Sequence, residues 1–192
     1  MICFPKIISA IKSNKPPIYF LDEAVFSSNQ SVNFKVWAPP GVITPSVMRN
    51  KVSFPAIAAI AVIDVDGNIV ACETRQKSYN TDSYVKFLKI FRSKTFGKVK
   101  LVVDNLGVHR AKLALEYCKL RHIEVIFNSI YSSEYMPIER VWLHAKNIWR
   151  KEVVTITNFN NKVRLRKKIV ECIQSVKSSV IEKYVLECYN RM

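Results

Sequence analysis

The sequence predicts an α/β fold, with one mixed β-sheet flanked by helices, and three observations carry that expectation. Up to about Asn80 the chain is a succession of β-branched and aromatic runs separated by turn residues. Beyond Asn80 helical spacing of apolar residues appears, and helical and strand segments alternate. Strands first and alternating elements afterwards describe a sheet with helices packed on it. Composition supports a single core of this kind, because 192 residues that are 49% hydrophobic supply enough apolar surface to bury.

Taken in order, Ile18–Phe26 follows Pro16-Pro17 and reads as a buried strand that carries one acid pair, Asp22-Glu23. Asn33–Ala38 reads as a second strand, closed by the turn residues Pro39-Pro40-Gly41. Ala56–Val65 and Asn68–Thr74 flank Asp66-Gly67, a dipeptide suited to a tight hairpin because glycine adopts positive φ freely. Tyr84, Phe87, Leu88 and Phe91 then follow helical spacing, with Asn80 or Thr81 as N-cap and Lys86, Lys89 and Arg92 on the other side. Lys98–Val103 is a short strand, Ala111–Leu120 a helix and Ile123–Phe127 another strand. Pro137 opens a helix, where its missing N–H costs nothing. The apolar stripe of that helix is Ile138, Val141, Trp142, Ala145, Ile148 and Trp149. Residues 161–189 read as helical and basic.

Composition also excludes several classes. Thirty Lys+Arg against fifteen Asp+Glu give a formal charge of +15, which points to phosphate-bearing partners. The apolar content excludes a disordered basic tail. The longest apolar stretch, Pro55–Ile63, is far shorter than the roughly 20 residues of a membrane span. Pro5, Lys6 and Lys12 interrupt the N-terminal apolar run, so a secretory signal is not expected. Cys3, Cys72, Cys118, Cys172 and Cys188 contain no C-x-x-C and predict a reduced intracellular chain. Cys118 and His122 have C-x3-H spacing, but no second pair completes a zinc site. The excess charge sits in residues 75–100 and 140–192, at +7 and +8 respectively.

In so basic a chain, an acid inside an apolar element needs explaining. Asp22 lies within Ile18–Phe26, Asp104 ends Val99–Val103, and Glu139 falls in the first turn of the Pro137 helix. Each has a plain structural explanation when taken alone. Asp22 could cap a turn at a strand end, Asp104-Asn105 could form a turn before Gly107, and Glu139 suits the helix dipole. Together, two strand-borne aspartates and a helix-borne glutamate are what a divalent-metal site for phosphate chemistry requires. Without a cation, three clustered carboxylates would raise one another's pKa. Glu139, Leu143, Lys146 and Arg150 share one helical face, which puts cations beside the acid. Asp64 and Asp66 are poorer candidates, since the hairpin turn explains Asp66. His109 and His144 could contact phosphate, although polar packing explains them as well.

Three ordered motifs carry a resemblance. Phe20-Leu21-Asp22-Glu23-Ala24-Val25-Phe26 comes first, then Trp37-Ala38-Pro39-Pro40-Gly41, then Val102-Val103-Asp104-Asn105-Leu106-Gly107-Val108-His109-Arg110-Ala111-Lys112. With Tyr131–Trp142 bearing the last acid, and 34 residues between Asp104 and Glu139, the chain resembles the DDE endonuclease domain of mariner-like transposases. It is most similar to their bacterial insertion-sequence relatives. The resemblance spans residues 5–150 or so.

It implies a ribonuclease-H-like fold with a mixed five-stranded sheet, Asp22 on the first strand, Asp104 on the fourth and Glu139 on a later helix. It implies that these three acids are catalytic and bind two Mg²⁺ or Mn²⁺ ions. The activity implied is hydrolysis of a phosphodiester at an element end, followed by attack of the freed 3′-hydroxyl on target DNA. The implied partner is DNA, engaged as a homodimer, with no membrane and no nucleoside triphosphate. The implied location is the bacterial cytoplasm at the nucleoid, or the nucleus of a eukaryote. Candidate DNA-contacting residues are Lys112, Lys146, Arg150, Lys151 and His109. The expected organisation is one catalytic domain over residues 1–192, with a basic helical extension from about residue 155. The family's N-terminal helix-turn-helix domain is not expected, because no room exists before Asp22. The family's proline-rich loop ending in Asn-Pro-Ile-Glu appears here as Asn128–Glu139 without three prolines and the asparagine. Because proline preorganises a loop, a looser approach to Glu139 and impaired activity are expected. A silent DNA-binding remnant and a junction resolvase are the competing readings.

Overall fold

The structure is a computed structural model that describes residues 13, 15–27, 55–128, 136–153 and 161–190. The strands are β1 (Ile18–Phe26), β2 (Ile57–Asp64), β3 (Ile69–Arg75), β4 (Val99–Val103) and β5 (Ile123–Phe127). The helices are α1 (Thr81–Ser93), α2 (Lys112–Leu120), α3 (Pro137–Val153), α4 (Lys162–Gln174) and α5 (Ser178–Asn190). The expected strand at Asn33–Ala38 and the motif at Trp37–Gly41 lie outside the described residues.

The five strands form one sheet in the order β3-β2-β1-β4-β5. β1 pairs antiparallel with β2, and β2 with β3, whereas β1 with β4 and β4 with β5 are parallel. β1 is thus central, and its composition follows from that position. Ile18, Phe20, Ala24 and Phe26 enter the core under α3, α4 and α5, while Leu21 enters the core under α1 and α2. A strand covered on both faces must be apolar at nearly every position.

The turn from β2 to β3 is built by Asp64 as well as by the expected Asp66-Gly67 pair. Asp64 Oδ1 accepts from the N–H groups of Asp66 (3.0 Å) and Asn68 (2.7 Å), and Gly67 has φ +83°. At the start of α1, Asn80 is the cap. Its Oδ1 accepts from Ser83 N–H at 3.0 Å, and Ser83 Oγ accepts from Asn80 N–H at 2.9 Å. Tyr84, Phe87, Leu88 and Phe91 are buried as their spacing predicts.

The C-terminal basic region is two helices, and it is no appendage. Leu165, Ile169, Cys172, Ile173, Val176 and Ile181 lie in the same core as Phe26, Trp142 and Trp149. Arg166 donates to the Thr74 carbonyl on β3, and Arg140 of α3 pairs with Glu187 of α5. Among the described residues, no helix is long and apolar enough to cross a membrane.

Candidate metal centre

The parallel pairing of β1 with β4 brings two acids to one end of the sheet. Phe20 lies opposite Val102, so two residues further along both strands Asp22 comes level with Asp104. Asp22 is buried on the face of β1 covered by α3. Its Oδ2 accepts a hydrogen bond from Trp142 Nε1 at 3.0 Å. Trp142 lies one turn beyond Glu139, so the same helix turn that anchors Asp22 presents Glu139 beside it.

Electrostatics couple the three acids. Burial pushes the Asp22 carboxyl up to about 8, and the charges of Glu139, Glu23 and Asp104 add to it against one backbone N–H bond. Burial also raises Glu139; Lys146 opposes that rise and Asp104 reinforces it. Lys146 itself is held below its usual value by partial burial, although Glu139 and Asp22 favour its charge. Its ammonium stands 5.9 Å from the centre of the Phe26 ring.

Asp104 lies one residue past the end of β4. Its Oδ1 accepts from Leu106 N–H at 3.1 Å and pairs with His109 Nδ1 at 2.7 Å, and the same ring nitrogen lies 3.3 Å from the Asp104 main-chain carbonyl oxygen. The other ring nitrogen, His109 Nε2, lies 3.1 Å from Glu23 Oε1. With a carboxylate at each nitrogen, the ring donates on both sides. Burial would push its pKa down, but the bonds and charges of Asp104 and Glu23 outweigh burial and raise it to about 10. In turn, burial raises Asp104, while the bonds from His109 and Leu106 more than offset this and leave it lowered.

The acids expected from the sequence lie within electrostatic reach of one another, Glu139 and Asp104 acting on Asp22 and Asp104 on Glu139, and the proposed DNA contacts divide. Lys146 stands beside Glu139, and Arg150 and Lys151 follow along α3. Lys112 is exposed at the start of α2, within 3.9 Å of Glu116. His109 is a correction: it is 1% exposed, held between two carboxylates and tilted against the Tyr84 ring at 4.7 Å. A ring so enclosed has no surface to offer a DNA backbone. His144 is half-buried on α3. Residues 129–135 of the altered loop lie outside the described residues.

Two participants escaped the sequence reading. One is Glu23, which with Asp104 and His109 forms the group of candidate ligand atoms that, among the described residues, lie within 4.8 Å of one another. Trp142, read only as part of an apolar stripe, also supplies a hydrogen bond to an acid. The donor set of Asp22, Asp104 and Glu139 is all carboxylate oxygen, the chemistry that Mg²⁺ and Mn²⁺ prefer. Two of these acids sit above their ordinary pKa, and a cation would relieve that. The residues therefore fit a divalent metal.

Comparison with known proteins bears on this site. The family profile described as "DDE superfamily endonuclease" matches residues 17–160. No curated protein matches the chain. Among solved structures, the Mos1 mariner paired end complex with Mn is similar at TM-score 0.74 and 16% identity, over 97% of this chain and 57% of that one. The Mos1 Strand Transfer Complex is similar at TM-score 0.73 and 17% identity, over 97% and 56%. The catalytic domain of Mos1 mariner transposase is similar at TM-score 0.66 and 13% identity, over 97% and 85%. The chain thus spans little more than half the length of the transposase chains in the two complexes. At these identities the likeness establishes the mixed five-stranded α/β fold.

Proposed function

This chain belongs to the DDE endonuclease superfamily, and from that premise we propose that it cleaves and joins DNA strands as the catalytic domain of a transposase. The observation that carries the reading is Asp22, buried and within electrostatic reach of Glu139 and Asp104, with its pKa pushed up to about 8. A buried carboxylate that faces two further acids is costly without a cation, so a structural role alone explains it poorly.

In this reading the three acids hold two Mg²⁺ or Mn²⁺ ions. When bound, such ions supply Lewis-acid stabilisation of the entering and leaving oxygens of an in-line displacement. The residues contribute position. Trp142 fixes the Asp22 carboxyl through Oδ2, and the α3 turn sets Glu139 beside it. Lys146 places a positive charge near the phosphate that the acids would otherwise repel. In the first step a water oxygen bonds to phosphorus, the P–O3′ bond breaks, one water proton passes to solvent, and the departing 3′-oxygen takes a proton from solvent to become the free 3′-hydroxyl. In the second, the freed 3′-oxygen bonds to a target phosphorus and displaces the target's own 3′-oxygen. No oxidant, triphosphate or covalent protein intermediate is needed.

DNA as partner is supported by the charge of +15 and by the likeness to transposase complexes with transposon ends. Engagement as a homodimer is part of the same proposal, as is action at the nucleoid or in the nucleus. The closer kinship with bacterial insertion-sequence relatives rests on the sequence motifs alone. Nicking of element-end DNA with Mn²⁺ is the test. Wild type should nick and Asp104→Ala should not; equal nicking by both would overturn the catalytic assignment. Salt-sensitive DNA binding that persists without metal, with no nicking under any condition, would instead favour a silent DNA-binding remnant.

A further inference from the structure

We propose that His109 is a positioning residue, braced against Glu23, that aims Asp104 at the metal site. The inference rests on the reading of Asp104 as a metal ligand. Asp104 lies just beyond β4, where strand pairing has ended, so the sheet alone does not orient its side chain. Orientation comes from Oδ1, which accepts from Leu106 N–H (3.1 Å) and pairs with His109 Nδ1 (2.7 Å), a nitrogen that also lies 3.3 Å from the Asp104 main-chain carbonyl oxygen. Both side-chain contacts use the same oxygen, which leaves Oδ2 for a ligand.

The ring in turn is not free to turn. Its Nε2 is anchored 3.1 Å from Glu23 Oε1, its face lies against Tyr84, and its backbone N–H donates to the Leu106 carbonyl at 3.0 Å. Glu23 belongs to β1 and directly follows Asp22. A continuous path therefore runs from the strand bearing one candidate ligand, through Glu23 and the imidazole, to the other. It holds the two aspartates at one spacing although they sit on different strands. Glu23 Oε2 is buried without a hydrogen-bond partner, an unfavourable arrangement that is understandable if the side chain is held in place for the ring. The geometry also argues against His109 as a ligand itself. Both nitrogens are at hydrogen-bond distance from carboxylate oxygens, on opposite sides of the ring.

Outer groups that orient a metal ligand typically change affinity by about 10–100-fold when removed. For His109→Leu, the dissociation constant for Mn²⁺ by calorimetry should rise by about that factor. Nicking should recover toward the wild-type rate at saturating Mn²⁺. His109→Asn, whose amide can still donate to Asp104 in place of Nδ1 but no longer reaches Glu23, should recover affinity only as far as the level of Glu23→Ala. Glu23→Ala should weaken Mn²⁺ binding in the same direction, and its effect should not multiply with that of His109→Leu, because both remove one path. If His109→Leu fails to fold, His109→Asn and Glu23→Ala carry the test. Wild-type Mn²⁺ affinity in Glu23→Ala, or multiplicative effects in the double variant, would overturn the proposal. So would nitrogen coupling from a directly bound imidazole in the spin-echo spectrum of the Mn²⁺ form. Failure of the underlying reading looks different: there Asp104→Ala itself binds Mn²⁺ as wild type does.

Discussion

Asp22→Asn should make the metal-free protein more stable while abolishing metal-dependent cleavage. The Asp22 carboxyl rises from 3.8 to about 8 in the folded chain, chiefly through burial and then through Glu139. A raised carboxyl pKa means that the folded state holds its proton longer than the unfolded one. Stability is therefore undiminished below about pH 4 and is lost as pH rises towards 8. At ~1.4 kcal/mol per pH unit, the three units between pH 4 and pH 7 amount to roughly 4 kcal/mol. The amide of asparagine stays uncharged at every pH and can still accept from Trp142 Nε1, so the variant escapes this loss. Even half the figure, about 2 kcal/mol, would raise the melting temperature by about 4–8 °C in a domain of this size. Thermal melts of both proteins in EDTA from pH 4.5 to 8.5 measure it directly. The two curves should start together and diverge with pH. Parallel curves, or a variant less stable at pH 8, would refute the argument that an uncompensated buried charge sits at Asp22.

Adding Mn²⁺ to the wild type at pH 7 should release a proton, because Asp22 must ionise to bind it, and affinity should strengthen as pH rises towards 8. Calorimetry in buffers of different ionisation enthalpy counts that proton, and a count of zero contradicts the prediction. Gly67→Ala should destabilise the fold by about 2 kcal/mol or more, as backbone strain at positive φ combines with a steric clash. Gly67 sits at φ +83°, and an added Cβ would come within 2.2 Å of the Ser178 carbonyl oxygen at the start of α5. A melting temperature within a degree of wild type would show that the hairpin moves aside freely. Lys146→Ala should weaken DNA binding and lower the slope of log affinity against log salt by about 1. An unchanged slope would remove Lys146 from the DNA-facing surface.

The fold was largely legible because the strands and helices carry strong periodic signals and distinct punctuation. Pro137 marked the start of α3, Asp66-Gly67 marked the β2–β3 turn, and Ile123–Phe127 was bounded correctly at both ends. The partition of the C-terminal basic region was less legible. Charge dominates the composition of α4, yet its buried side is decided by Leu165, Ile169, Cys172 and Ile173, which only the tertiary core makes visible. At the candidate site, the elements bearing Asp22, Asp104 and Glu139 were readable, because an acid inside an apolar run is conspicuous. The brace behind them was not. A signal for it did exist: side chains alternate along a strand, so Asp22 and Glu23 must point to opposite faces of β1. One acid of the pair faces α3 and its tryptophan, and the other faces α1 and α2. Glu23 then enters a core lined by Leu21, Tyr84 and Phe87 and must meet a partner there. Among the described residues the partner is His109, five positions beyond Asp104 and brought under the sheet by the turn that follows β4. The adjacent acid pair is thus one device with two faces, in which Asp22 points towards the metal site while its neighbour steadies Asp104 from behind the sheet.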